Sequence, residues 1–136
     1  MSSQELADFE AFDNKLILDQ LSGEERKRSA VYLDQDLHPP GQAQIGGREV
    51  KLDHAHVIAF VDQRPGANWM HPCRYLLIDP ATRQVTSIDS DRPPLFGILP
   101  ATWREVWRSP GIANWQMLPM SHPAPQVTPN EKKEKP

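Results

Sequence analysis

Apolar positions fall into three regimes along the chain, and each predicts a different kind of structure. Over residues 3–20, Leu6, Phe9, Phe12, Leu16 and Ile17 approximate the three- and four-residue spacing of one apolar face, with Asp and Glu between them. That spacing lines one face of a helix, so an amphipathic, acidic helix is expected from Ser3 to about Gln20. Ser22-Gly23-Glu24-Glu25 has the Ser-x-x-Glu form in which serine and glutamate each satisfy a free amide at a helix start. A second helix is expected from about Gly23 to Leu33, with Ala30–Leu33 equally readable as a strand. Pro39-Pro40 ends whatever precedes it, because proline cannot donate to a helix or a ladder.

Between Gln42 and Ile88 the pattern turns to strands. Gly46-Gly47 sits at the centre of Gln44–Val50 as a two-residue hairpin signal. Val57–Val61 is a continuous apolar run, consistent with a strand buried on both faces. Tyr75–Ile78 and Gln84–Ile88 flank Asp79-Pro80-Ala81-Thr82-Arg83. There aspartate opens a turn and proline presets its first central residue. An antiparallel meander of four to five strands follows from these runs.

The last third is broken by proline, with nine of the fourteen prolines after residue 92. One short helix is expected at Ala101–Arg108, offering Trp103, Val106 and Trp107 as its apolar face. From Ser121 the chain has almost nothing to bury and reads as a disordered tail. The expected class is α+β: an N-terminal helix or helix pair, an antiparallel meander and a short C-terminal helix. One domain would span residues 1–120, followed by the tail at 121–136.

Composition narrows the function classes. A chain of 136 residues suits one modest core, and 38% apolar residues with 14 prolines fits a compact domain with unstructured ends. No apolar run is long enough to span a membrane, and the start M-S-S-Q-E-L-A-D lacks the apolar region of a secretory signal. A single cysteine cannot form an internal disulfide, which favours a reducing, cytoplasmic setting. Net charge is −3; residues 1–36 carry nine Asp or Glu against four Lys or Arg, a net of −5, leaving +2 for the rest. No basic stripe able to neutralise several phosphates is present, so nucleic acid is not an expected partner.

Chemistry concentrates in Asp62–Arg74, D-Q-R-P-G-A-N-W-M-H-P-C-R, a loop between two strand runs. Such loops are where binding and catalytic groups are placed. Arg64, Asn68, Trp69, His71 and Arg74 are the candidate binding residues. Tryptophans in loops, Trp69 and Trp115, suit contact surfaces, whereas Trp103 and Trp107 suit a core. The leading expectation is a small non-catalytic protein-binding module, accessory, regulatory or inhibitory, which uses this loop and the acidic N-terminal helix. It needs no cofactor.

Two rivals rest on the same stretch. Cys73 could act as a nucleophile with His71 as base and Asp62 orienting the imidazole, giving a hydrolase or transferase. Against this, a lone cysteine opening an apolar strand is usually inert packing. His54, His56 and His71 are weak candidate metal ligands, since His-x-His on a strand points both rings to one face. A hairpin centred on Gly66-Ala67 would set Cys73 opposite Phe60, far from His54, and exposed or hydrogen-bonded histidines are the plainer reading. Asp89-Ser90-Asp91 lacks the oxygen spacing of a calcium loop. Finally, Pro65-Gly66-Ala67-Asn68-Trp69-Met70 resembles Pro110-Gly111-Ile112-Ala113-Asn114-Trp115-Gln116-Met117. Two copies without a fixed period do not make a repeat architecture, and the echo is read as coincidence.

Overall fold

The structure, a computed structural model, describes residues 14–67 and 70–119. Expectations for the N-terminal helix before residue 14, for Asn68 and Trp69, and for the tail lie outside the described residues. Within them, α1 (residues 14–19) is followed by the single turn α2 (Glu25–Arg28). Seven strands follow: β1 (Ala30–Asp34), β2 (Gly41–Ile45), β3 (Arg48–Leu52), β4 (Val57–Asp62), β5 (Cys73–Ile78), β6 (Val85–Ser90) and β7 (Trp103–Arg108). The class is α+β with antiparallel strands, but the strands outnumber the four to five expected. They form a five-stranded sheet in the order β6-β5-β4-β1-β7 and a separate β2-β3 hairpin.

The helix start at Ser22 forms as its residues dictate. The Glu25 amide donates to Ser22 Oγ at 3.1 Å, and the Ser22 amide donates to Glu25 Oε1 at 2.8 Å. The helix stops after one turn, and Ala30–Asp34, fully buried, becomes an inner strand between β4 and β7. The Gly46-Gly47 turn closes β2 onto β3 with both glycines at positive φ, 61° and 82°, as a two-residue hairpin of this kind requires. At the β5–β6 turn Asp79 Oδ1 accepts from the Ala81 amide at 2.9 Å.

The short helix expected at Ala101–Arg108 is corrected: the segment is an edge strand paired with β1. A register shift between Val31 and Tyr32 leaves Val106 as an extra residue on β7. This bulge explains the misreading. It puts Trp103 with one face of the sheet and both Val106 and Trp107 with the other, so apolar residues fall three and four apart without a helix.

Both sheet faces are covered. On one, Tyr32, Phe60 and Tyr75 pack in a row, with ring centroids 6.0 and 5.1 Å apart, beneath Ile45 and Leu52 of the hairpin and Leu99. On the other, Val31, Val61 and Leu76 pack under Ile17 and Leu21 from the α1 region. Every residue of β4 is buried, as the continuous apolar run requires.

Candidate functional site

The loop joining β4 to β5 is tied at its base on both faces of the sheet. Asp62 pairs with Cys73 across the two strands, and Phe60 pairs with Tyr75, so the expected pairing of Cys73 with Phe60 is corrected. On one face, His71 Nε2 donates to Asp62 Oδ1 at 2.8 Å, and both side chains are buried. The Arg64 amide donates to the same oxygen at 3.0 Å, while Asp62 Oδ2 is buried without a partner. Burial raises the Asp62 carboxyl above its ordinary value, and the nearby imidazole opposes that rise.

On the other face, Arg74 donates to both Glu25 oxygens and to Ser87 Oγ and the Gln20 carbonyl. Gln63 Nε2 adds a bond to Glu25 Oε2 at 2.7 Å. Arg74, expected as a binding residue, thus has every guanidinium nitrogen engaged within the chain and holds the loop base to α2.

The outer loop is different. Arg64, Gly66 and Ala67 are exposed, and the loop meets the second Pro-Gly segment at Pro65 and Gly66. Gln116 Nε2 donates to the Pro65 carbonyl at 3.4 Å. A Cβ on Gly66 would stand 3.2 Å from the Trp115 ring. The two segments that echo one another in sequence therefore meet in space, with Gly66 and Gly111 both at positive φ, 89° and 93°. The weak likeness of the two turns was the only sequence signal for this contact.

Two depressions share Gly66, Ala67 and Gln116 as a wall. The larger, about 550 Å³, is bordered by Lys27, Arg28 and Arg64. The three cationic groups of these side chains make no ion pair or hydrogen bond among the described residues. The smaller, about 230 Å³, is bordered by His71, Gly97, Trp115, Met117 and Leu118. Trp115 is 76% exposed, and Met70 and Ile98, chain neighbours of His71 and Gly97, are 53% and 46% exposed.

The thiol chemistry finds little support in this geometry. Cys73 is 1% exposed and its Sγ donates to the Ser90 carbonyl at 3.5 Å. Burial pushes the thiol up to about 12, the opposite of an activated nucleophile. His71 already spends Nε2 on Asp62. The histidine set is not assembled either, which corrects that grouping. His54 and His56 precede β4, and His71 sits beside its far end, roughly 20 Å away at strand rise. His56 instead pairs with His38 in an isolated bridge. Among the described residues no group of three or more His, Cys, Asp or Glu could hold a metal ion, and no helix is long and apolar enough to cross a membrane.

Comparison with known protein families, curated proteins and solved structures finds no match to this chain.

Proposed function

We propose that the protein is a small non-catalytic protein-binding module, acting as an accessory, regulatory or inhibitory partner of a larger protein. The observation that carries this reading is Trp115, 76% exposed on the wall of the depression beside the loop, with Met70 and Ile98 exposed next in the chain to its lining residues His71 and Gly97. Large apolar side chains left in water at one place are the usual mark of an interaction surface, and tryptophan is the residue most often found to anchor one. The adjoining cations Lys27, Arg28 and Arg64 favour a partner with acidic groups beside its apolar anchor. The acidic stretch before residue 14 joins the proposal as a second contact element on its sequence alone. The setting proposed is the cytoplasm.

The test is affinity capture with wild-type protein and with Trp115→Ala as baits, followed by direct titration of any captured partner. Because Trp115 is so exposed, the variant should melt as wild type does while binding weakens by more than about 1 kcal/mol. Equal capture and equal affinity for both baits would remove the loop surface from the proposal.

A further inference from the structure

We propose that the cavity between the β2-β3 hairpin and the sheet is a binding site for a small aromatic or alicyclic carboxylic acid. The cavity holds about 470 Å³ and shares no lining residue with the two depressions beside the loop. Its volume lies in the range of small-molecule sites. Ile45, Ile58, Pro94, Pro100 and Trp103 give it an apolar interior, and a rigid ring system would be desolvated there.

The walls are held in place without a ligand. Ser90 Oγ donates to the Gly46 carbonyl at 3.0 Å, and Arg48 Nη2 donates to the Asp89 carbonyl at 3.2 Å, so the hairpin is pinned to the end of β6. The opposite wall contains Pro93, Pro94 and Pro100, whose backbone φ angles are fixed by their rings. A preformed apolar hollow with a few placed polar groups is what a small ligand binds with least ordering cost.

One polar side chain, Arg92, defines the ligand's charged end. Arg92 is seated by Tyr75 Oη donating to its carbonyl at 2.6 Å and by its own amide donating to Ser90 Oγ at 2.9 Å. Its side chain lies across Gly47, where a Cβ would come within 2.6 Å of Arg92 Cδ. The Gly-Gly turn thus makes room for this arginine as well as closing the hairpin. Among the described residues the one carboxylate in ion-pair range of its guanidinium is Asp91, 3.7 Å from Nε, and both side chains are more than half exposed. Such a pair is weak, which leaves the planar fork able to take a carboxylate in two parallel hydrogen bonds.

His38 lines the same cavity but offers no donor to a carboxylate, because its one N–H is already used. Its Nε2 donates to Oδ2 of the buried Asp34 at 2.6 Å, which fixes the ring, and its Nδ1 makes no hydrogen bond among the described residues. Among the described residues no Asp or Glu lines the cavity, so no carboxylate there favours a cationic ligand. An apolar body with one anionic end fits both parts of the site.

Naphthoate is the probe and naphthalenemethanol its neutral counterpart of similar shape, each titrated into the whole chain and followed by amide proton–nitrogen correlation spectra. The acid should give saturable shifts at the Gly46, Gly47 and Ile58 amides and at the Trp103 indole. The alcohol should bind about tenfold more weakly or worse, since it cannot make charge-assisted bonds. Arg92→Ala, at an exposed side chain, should keep the wild-type melting temperature and no longer distinguish acid from alcohol. Absence of saturable shifts would overturn the proposal. So would shifts confined to Gly66 and Trp115, or equal affinity of the wild type for acid and alcohol.

Discussion

Arg74 grips Glu25 with two hydrogen bonds of 2.9 Å, one from Nε and one from Nη2, across 49 positions of chain. Both side chains are nearly buried, with exposures of 13% and 8%. Buried pairs of this kind do little for stability compared with apolar packing, yet breaking one leaves an unpaired charge inside. Here the pair fastens α2 to β5 and, through Gln63, to the start of the loop.

The pair makes acid stability a readable quantity. Burial pushes the Glu25 carboxyl up, but hydrogen bonds from Arg74, the Ser22 amide and Gln63, with the Arg74 charge, outweigh it and hold the group at about 2 against an ordinary 4.5. A depressed carboxyl stabilises the fold fully above its unfolded value and loses that contribution as pH falls toward the folded one. Wild type should therefore lose up to about 3 kcal/mol through this residue between those limits. Glu25→Gln should lack that component, so urea unfolding of the two proteins should converge as pH drops from 4.5 to 2. A gap that stays constant over the window would contradict the assignment. Arg74→Met should cost about 3–5 kcal/mol at neutral pH.

The glycines of the β2-β3 turn should not be equivalent. Both have positive φ, so alanine at either costs roughly 1–2 kcal/mol in backbone strain. At Gly47 the new methyl group meets only the flexible end of Arg92. At Gly46 it would meet Tyr75 Cε1 at 2.9 Å, a ring fixed in the core, and Ser90 Oγ at 2.8 Å. Gly46→Ala should thus be the more destabilising by a further 1–3 kcal/mol or so from overpacking. Thermal melts of the two variants decide this, and an equal loss would argue against the close approach at Gly46.

What the sequence shows of this fold depends on whether the local pattern is undisturbed. Val57–Val61, Tyr75–Ile78 and the Gly46-Gly47 turn were readable because unbroken apolar runs and a paired glycine each have few structural solutions. The Ser22–Glu25 box was readable for the same reason, since both of its bonds are local. β7 was not, because one bulged residue, Val106, turns a two-residue alternation into helical spacing. Nor could local pattern reveal that Arg74 serves Glu25 rather than a partner, or that Gly66 meets Trp115. Those contacts join positions 49 apart, far beyond any local signal. The loop itself stood out by its density of polar and aromatic types. Which of its side chains face inward was decided by tertiary pairing.

At the loop base, the two members of the Asp62–His71 pair should respond differently to substitution. His71→Ala leaves the Asp62 carboxyl buried with its Arg64 amide bond and no imidazole, at a cost of about 3–5 kcal/mol. Asp62→Asn keeps an acceptor for His71 and the Arg64 amide and removes the buried charge. It places an unsatisfied amide where Oδ2 already lacks a partner, which costs about 1–3 kcal/mol. Denaturant unfolding at neutral pH should therefore rank His71→Ala as the less stable variant. The reverse order would mean that the carboxylate, rather than the imidazole, is the better supported partner.

Alkylation of Cys73 separates the binding-module reading from a thiol enzyme. The thiol is 1% exposed and raised to about 12, chiefly by burial, so at neutral pH it is protonated and shielded. Iodoacetamide should modify the folded protein far more slowly than a free cysteine. The rate should rise with added urea, following the population of opened molecules rather than the titration of an active-site base. Cys73→Ala should leave partner capture unchanged, because the side chain lies in the core with Phe60 and Tyr75 and outside the Trp115 surface. Fast modification at neutral pH that slows in Asp62→Asn would instead show a thiolate supported by the Asp62–His71 pair, and would put catalysis ahead of binding.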